Sequence, residues 1–443
     1  MKTGGKEQKM EEIIMCPICY GKETIDAAIP AANLIKVLNA KEIEHNGDET
    51  ALLRDALQYP IASQHLHKMV RPGMKVSIIT DDITRPTPTH IMLPLVLEEL
   101  YAGGVHDGDI TVIFATGSHR RHTEEEKERL IGNCSLFKRI RVVDHDAFVE
   151  SQLVDMGVTK RGTPVYINKW VAESELKIML GLIKPHCVAG YTGGGKSILP
   201  GVSSIKTIIA DHNYTATAHP LAILGVIDGN PIRSDIEDAA SLLSPNFILN
   251  AILDRKKQVV GAVAGDMIEA HRKGASMVDE MICVDVDEVA EIAVCGCSYP
   301  SSINLYQAAT APQACTRIKD PIIKKGGICI VAAPCEEGIG GGPLQELMRN
   351  ARTLEDVIKT ISAPGFFMHD QWAAQLWTAV LMHCDVYLVA RGITAADAAD
   401  MKCSLFPSVD SALESAFAKM GKDARVSVLT DGPYIIPKLT RKE

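Results

Sequence analysis

The stretch Lys75-Val-Ser-Ile-Ile-Thr-Asp-Asp-Ile-Thr-Arg-Pro-Thr-Pro-Thr89 decides the fold. Residues 75–80 are a short run, rich in β-branched side chains, of strand length. Two aspartates and a Thr/Pro-rich turn end it. A helical apolar pattern follows over 88–102, and a second strand-like run, Ile-Thr-Val-Ile-Phe-Ala, fills 110–115. Strand, helix and strand in that order make one βαβ unit. Outward from it the alternation recurs. Strands are expected at 139–144, 176–182, 293–296, 327–333, 385–390 and 425–430. Helices are expected at 123–131, 203–213, 231–243, 265–284, 305–318, 353–361, 372–383 and 411–420. Thr123-Glu-Glu-Glu126 reads as a capping box that starts one of them. Residues 13–20 and 24–29, joined by Gly21-Lys22-Glu23, read as a hairpin. The class is therefore α/β, with two domains of Rossmann-like βαβ alternation. A short acidic break at Asp285, Asp287 and Glu288 separates 1–285 from 286–420. The last strand, within 421–443, is expected to return and complete the first domain.

The 443 residues carry a net charge of −9, with 46% hydrophobic and 23% charged, and that length suits two or three domains. No run of about 18 apolar residues occurs, so no membrane span is expected. Residues 1–10 are polar and show no signal-peptide pattern. The acidic balance and the lack of a basic stripe argue against nucleic acid. A cytoplasmic enzyme is the expectation. Twelve cysteines are unusual, but most sit in apolar runs, where a free thiol packs as a small hydrophobe. Cys16-Pro-Ile-Cys19 has half the spacing of a zinc site, and no second pair follows it.

Three motifs carry chemistry. In Thr80–Thr89, Asp82, Thr84 and Arg85 place acceptors, a hydroxyl and a cation at a strand end, suited to a ribose or a carboxylate. In Phe114-Ala-Thr-Gly-Ser-His-Arg-Arg-His122, Gly117 permits close backbone approach. His119 is placed there as a general base, and Arg120 and Arg121 are either partners of a substrate carboxylate or solvated. In Lys184-Pro-His-Cys-Val-Ala-Gly-Tyr-Thr-Gly-Gly-Gly-Lys-Ser-Ile-Leu-Pro-Gly201, Gly190–Ser197 fits the phosphate-binding P-loop pattern. A P-loop needs a long helix from its lysine, and Pro200-Gly201 stands in the way. The glycines then imply a loop that approaches a ligand closely, with Lys196 a nucleophile or covalent anchor. His212, beside Asp211, is a possible metal ligand.

Together these motifs, with Asn304-Leu-Tyr-Gln307, resemble the nickel-pincer-nucleotide-dependent lactate racemases over nearly the whole chain. The resemblance implies a racemase or epimerase of a 2-hydroxy acid and a cofactor cleft between the domains. The cofactor it implies is a nickel(II) pyridinium-3,5-bisthiocarboxylate mononucleotide, joined to Lys196 and supplied by cofactor-synthesis enzymes. His212 would ligate nickel, and His119 and His186 would be the two acid/base residues. Asp82, Thr84, Arg85, Gln307 and Trp372 would contact cofactor or substrate, the last two from the second domain. Two departures bear on cofactor retention and substrate choice. Thr310 stands where the family's lactate enzyme has Lys, and Gly195 where a basic residue is common.

The implied mechanism is reversible hydride transfer, which avoids the dianion that proton abstraction beside a carboxylate would make. One histidine takes the hydroxyl proton in each direction. Two other classes stay open: a P-loop ATPase or GTPase, and a non-catalytic binding protein of the same fold.

Overall fold

The computed structural model describes residues 12–440 apart from 42, 44–46 and 133. The polar start at 1–10 lies outside the described residues, as does the side chain of Cys134. The chain forms two compact units. One comprises 40–283 with 357–376; the other joins the segment ending at Asn39 to 284–356 and 377–443.

The first unit is built on a six-stranded sheet. Its order is Val259–Gly265, Asn246–Leu253, Leu176–Leu182, Val76–Asp81, Ile110–Ala115 and Arg141–Asp144. All neighbours are parallel except the first pair, which is an antiparallel hairpin at the edge. Leu176–Leu182 is buried at every residue, as a central strand covered on both faces must be. Thr89–Ala102 supplies Met92, Leu93, Val96 and Leu100 to a core with Ile78, Val112 and Ile178. The expected capping box at Thr123 forms, with Glu126 returning its side chain to the cap backbone.

The strand order reverses between Val76–Asp81 and Leu176–Leu182. From the first of these the chain proceeds outward through 110–115 to 141–144; the second leads the opposite way. A parallel sheet opens a crevice at such a switch point, just past the carboxyl ends of its strands. The two segments leaving those ends are Asp82–Thr87 and Ile183–Gly201.

The second unit holds an eight-stranded sheet running Ser404–Phe406, Asp385–Val389, Ile323–Ala332 and Ala290–Ser298. Beyond Ala290–Ser298 it divides. The hairpin Ile13–Gly21/Glu23–Pro30 pairs with its end, and Val426–Leu429 pairs with its beginning and then with Leu34–Leu38. The expectations for the two ends of the chain therefore need correcting. The segment after 421 completes this second sheet, and so does the first hairpin. Both were read as parts of the first domain because nearness in sequence does not report which parallel edge is open. Cys16 and Cys19 lie on that hairpin, Cys16 buried in the core. Among the described residues no helix is long and apolar enough to cross a membrane.

Candidate active site

Asp82 is buried and fully engaged. Its Oδ1 accepts from Thr84 Oγ1 at 2.5 Å and from the Thr84 amide at 3.0 Å. Its Oδ2 lies 2.6 Å from Nδ1 of His119. Burial alone would raise the Asp82 carboxyl; the His119 charge and hydrogen bond, with Arg85 and Thr84, outweigh it and hold the group below the usual carboxylate range. A carboxylate only accepts, so Nδ1 of His119 carries a proton, and Nε2 is the nitrogen at which the ring gains or loses one. Asp82, expected to contact cofactor or substrate, is the partner of His119. Neighbouring Asp81 accepts from Thr87, which stiffens the same turn. The Arg85 guanidinium donates to the carbonyl and hydroxyl of Thr84, at 3.4 and 3.3 Å.

The glycine-rich segment has no P-loop helix. Gly194–Ser197 is a single four-residue 3-10 turn, and this removes the nucleotide-hydrolase reading. The glycines serve packing against the protein itself. Gly193 and Gly194 have φ of 78° and 58°, and a Cβ on them would meet Asn250 Oδ1 at 2.7 Å and the His271 ring at 2.9 Å. The Gly194 amide donates to Asn250 at 2.8 Å. Buried Arg233 donates to the carbonyls of Ala189 and Tyr191. The Gly117 amide, at the end of the neighbouring strand, donates to the Gly201 carbonyl at 2.9 Å, tying the His119 loop to this one. A Cβ at Gly195 would press on Ile236 and Ala240 of the helix Pro231–Ser241, so a larger residue there requires that helix to shift.

This bracing carries His186 and Lys196. His186 Nδ1 accepts from the amides of Val188 and Ala189, at 3.4 and 3.2 Å. Burial, then the charges of Lys196, Arg85 and His212, push its pKa well below the ordinary value, so the ring is neutral. Lys196 is half-buried. Burial, with repulsion from Arg85 and Arg233, lowers its ammonium to about 7. A substantial share of the amine is thus nucleophilic at neutral pH.

His212 caps the helix Ile205–Asp211 and is buried. Its Nδ1 is 2.8 Å from Asp211 Oδ2, yet both atoms lack hydrogen-bond geometry and are otherwise unpartnered. Asp211 is completely buried, and Arg161 stands 3.8 Å away. Trp372 lies with its ring centroid 5.3 Å from that of His212, and His369 lies 5.9 Å from Trp372. An imidazole with a carboxylate behind Nδ1 is the arrangement that readies Nε2 for a metal. Trp372 was expected in the second domain; it belongs to the same unit as the motifs.

The remaining candidates have their own partners. Arg120 makes a two-pronged pair with Glu126 and Arg121 pairs with Asp146, so neither awaits a substrate. Gln307 lies in the short helix Leu305–Ala308 of the other unit, its amide held by the capping Asn304 and its carbonyl by Thr310 Oγ1 at 2.8 Å. Several supporting residues escaped the sequence reading: Asp211, Arg233, Asn250, His271, and His122. Buried His122 sits 2.6 Å from Asp144, while its Nε2 accepts from the Ile83 amide, pinning the Asp82 turn. Of these, Asp211 had a local signal in its adjacency to His212, and His122 closes the motif that carries His119. Three buried thiols of the second unit, Cys295, Cys315 and Cys329, gather within 4.8 Å. Their mutual hydrogen bonds and burial keep them protonated.

A strand-end histidine held by a buried carboxylate, a depressed lysine and a carboxylate-backed imidazole in one unit are the groups of an enzyme site for small-molecule chemistry. Comparison with known proteins agrees. The lactate racemase N-terminal domain matches residues 20–224 and the lactate racemase C-terminal domain matches 286–436. The lactate racemase of Lactiplantibacillus plantarum is 33% identical over 424 residues, covering 95% of this chain and 98% of its own. That of Thermoanaerobacterium thermosaccharolyticum is 30% identical over 423 residues, with the same coverage of each. The structure of the latter's apoprotein superposes with a TM-score of 0.88 over 96% of this chain and 100% of that one. A Thermotoga maritima protein, 18% identical, shares the fold at a TM-score of 0.70 over 90% and 100%. The chain belongs to the lactate racemase family, and it is an isomerase.

Proposed function

We propose that this enzyme racemises a 2-hydroxy acid, with lactate the first substrate to test. We further propose that it does so with a nickel-pincer nucleotide carried on Lys196. The observation that carries the reading is the placement, in one unit, of a lysine with a depressed pKa and an imidazole whose Nδ1 faces a buried carboxylate, both charged groups acting on His186. These residues fit the group. The Lys196 amine makes no hydrogen bond or ion pair among the described residues, so it is available for a thioamide. His212 Nε2 offers nickel one ligand, and the Trp372 ring lies beside it. When bound, the cofactor supplies an acceptor for the hydrogen on the substrate's Cα.

The chain's own residues do the rest. His119 takes the hydroxyl proton at Nε2, and Asp82 holds its ring and stabilises the imidazolium that forms. Arg85 is the cation nearest these groups, suited to a substrate carboxylate or a cofactor anion.

Intact-protein mass spectrometry after co-production with the cofactor-synthesis enzymes tests this. The wild type should gain the cofactor's mass and interconvert D- and L-lactate, or another 2-hydroxy acid, by chiral chromatography. Lys196→Ala should do neither. A wild type that stays at its apoprotein mass under those conditions refutes the proposal.

A further inference from the structure

We propose that Cys295, Cys315 and Cys329 of the second unit form a buried three-thiolate site for a soft monovalent ion, Cu(I). The site is separate from the racemase reading above and stands whether or not that reading holds.

The sequence hides it, because each cysteine sits in its own apolar run. Two of them lie on neighbouring parallel strands, Ala290–Ser298 and Ile323–Ala332, where Ala293 stands opposite Cys329. Side chains alternate between the two faces of a strand. Ile292, Val294, Ile328 and Ile330 enter the core on one face, so Ala293, Cys295, Cys329 and Val331 point to the other. The helix Thr310–Thr316 packs against both strands and brings Cys315. Cys295 Sγ lies 3.4 Å from that of Cys315 and 3.8 Å from that of Cys329. All three sulfurs fall within 4.8 Å of one another, and all three residues are completely buried.

Filling space does not ask for this. Ala293 and Val331 fill the same face without sulfur, and thiols from three elements need not converge on one point. Metal–sulfur bonds of about 2.3 Å put the sulfurs of a trigonal site about 4.0 Å apart. The observed spacings bracket that value, so an ion enters with small side-chain shifts. Soft thiolates select Cu(I) and zinc over harder cations. A structural zinc takes four ligands, and among the described residues no fourth ligand joins the three. Cys384 lies nearby, but its thiol is engaged by the Cys329 backbone. Three sulfurs in a dry core suit Cu(I). Its seating is an exchange in which no electron moves: each S–H bond breaks, an S–Cu bond forms, and the proton leaves to solvent. The ion ties both strands to the helix that begins at Thr310, just past Gln307.

Anaerobic titration of the full-length apoprotein with Cu(I), in competition with bicinchoninate, tests the proposal. The wild type should take one ion, and X-ray absorption at the copper edge should show three sulfur neighbours. Cys315→Ala should bind at least about tenfold more weakly, since loss of an outer partner alone costs about 10–100-fold. Cys19→Ala, which removes half of Cys16-Pro-Ile-Cys19, should bind like the wild type. A wild type that takes no Cu(I) from the competitor overturns the proposal. So does a Cys315→Ala that binds as tightly as wild type, a Cys19→Ala that loses the ion, or a copper shell containing nitrogen or oxygen. If Cys315→Ala does not fold, the wild-type absorption spectrum and Cys19→Ala decide. A wild type that prefers Zn(II) at these thiols overturns the choice of ion.

Discussion

At the scale of single residues the site is a set of charges held by partners that themselves do no chemistry. Asp82 shows this best. Its two oxygens are divided between the backbone turn, through Thr84, and the ring of His119. Replacing it with Asn keeps the shape but offers an amide that can donate to Nδ1, so the ring loses its fixed tautomer. Asp82→Asn should therefore lower turnover of the loaded enzyme on the order of 10²–10⁴-fold, the loss seen when a triad carboxylate is neutralised. The cofactor mass should be unaffected, since Lys196 is untouched. Turnover within threefold of wild type would show that His119 needs no orienting carboxylate. The motif around Asp82 was legible as a site, because charged and hydroxyl side chains at a strand end have few other uses. Its internal hydrogen bonding was not, because which acceptor a histidine chooses depends on a loop about 40 residues away.

At the scale of elements, the strands and helices of the parallel core were read nearly to their ends. The runs at 110–115 and 176–182 match the observed strands. The hairpin of Asn246–Leu253 and Val259–Gly265 escaped, since its continuous apolar pattern has no alternation to distinguish it from a buried helix segment. That hairpin supplies Asn250, which braces the glycine-rich loop. The helix Glu269–Ile282 supplies His271 for the same purpose, with its Nε2 2.8 Å from the Thr192 carbonyl. The glycines were read as space for a ligand; they are space for these two side chains. Gly193→Ala puts a Cβ in the left-handed region and against Asn250 Oδ1. The backbone term alone costs about 1–2 kcal/mol, and the clash adds to it. Gly193→Ala should therefore lower the melting temperature of the apoprotein by several degrees and reduce labelling at Lys196. The same change at Gly73, with φ of 78° and none of the described residues within 4 Å of the added Cβ, should carry only the backbone term. Equal melting shifts for the two variants would show that the loop is not packed as described.

At the scale of the whole molecule, the buried titratable groups act together on acid stability. His145 is forced down to about 4, chiefly by burial, and His186 and His271 are pushed well below their ordinary value for the same reason. Each is neutral in the fold but takes a proton near pH 6.5 once unfolded. The stability they contribute is present above pH 6.5 and is lost as pH falls from there through the folded values. Buried carboxylates add to this lower down. Asp82 and Asp144 are held below the usual range because their partners outweigh burial, so their contribution is present above about pH 4 and disappears as they protonate. Asp81 and Asp235, raised by burial, work in the opposite sense, and threonine hydroxyls ease each of them. The melting temperature of the apoprotein should therefore begin to fall between pH 6.5 and 5, before any ordinary carboxylate titrates, and fall faster below 4. Replacing His145 with Gln removes one of those titrations, so the decline between pH 6.5 and 5 should become shallower in that variant even if its plateau is lower. A wild-type melting temperature that stays flat down to pH 5 would mean that these histidines bind protons in the folded state as readily as in the unfolded one.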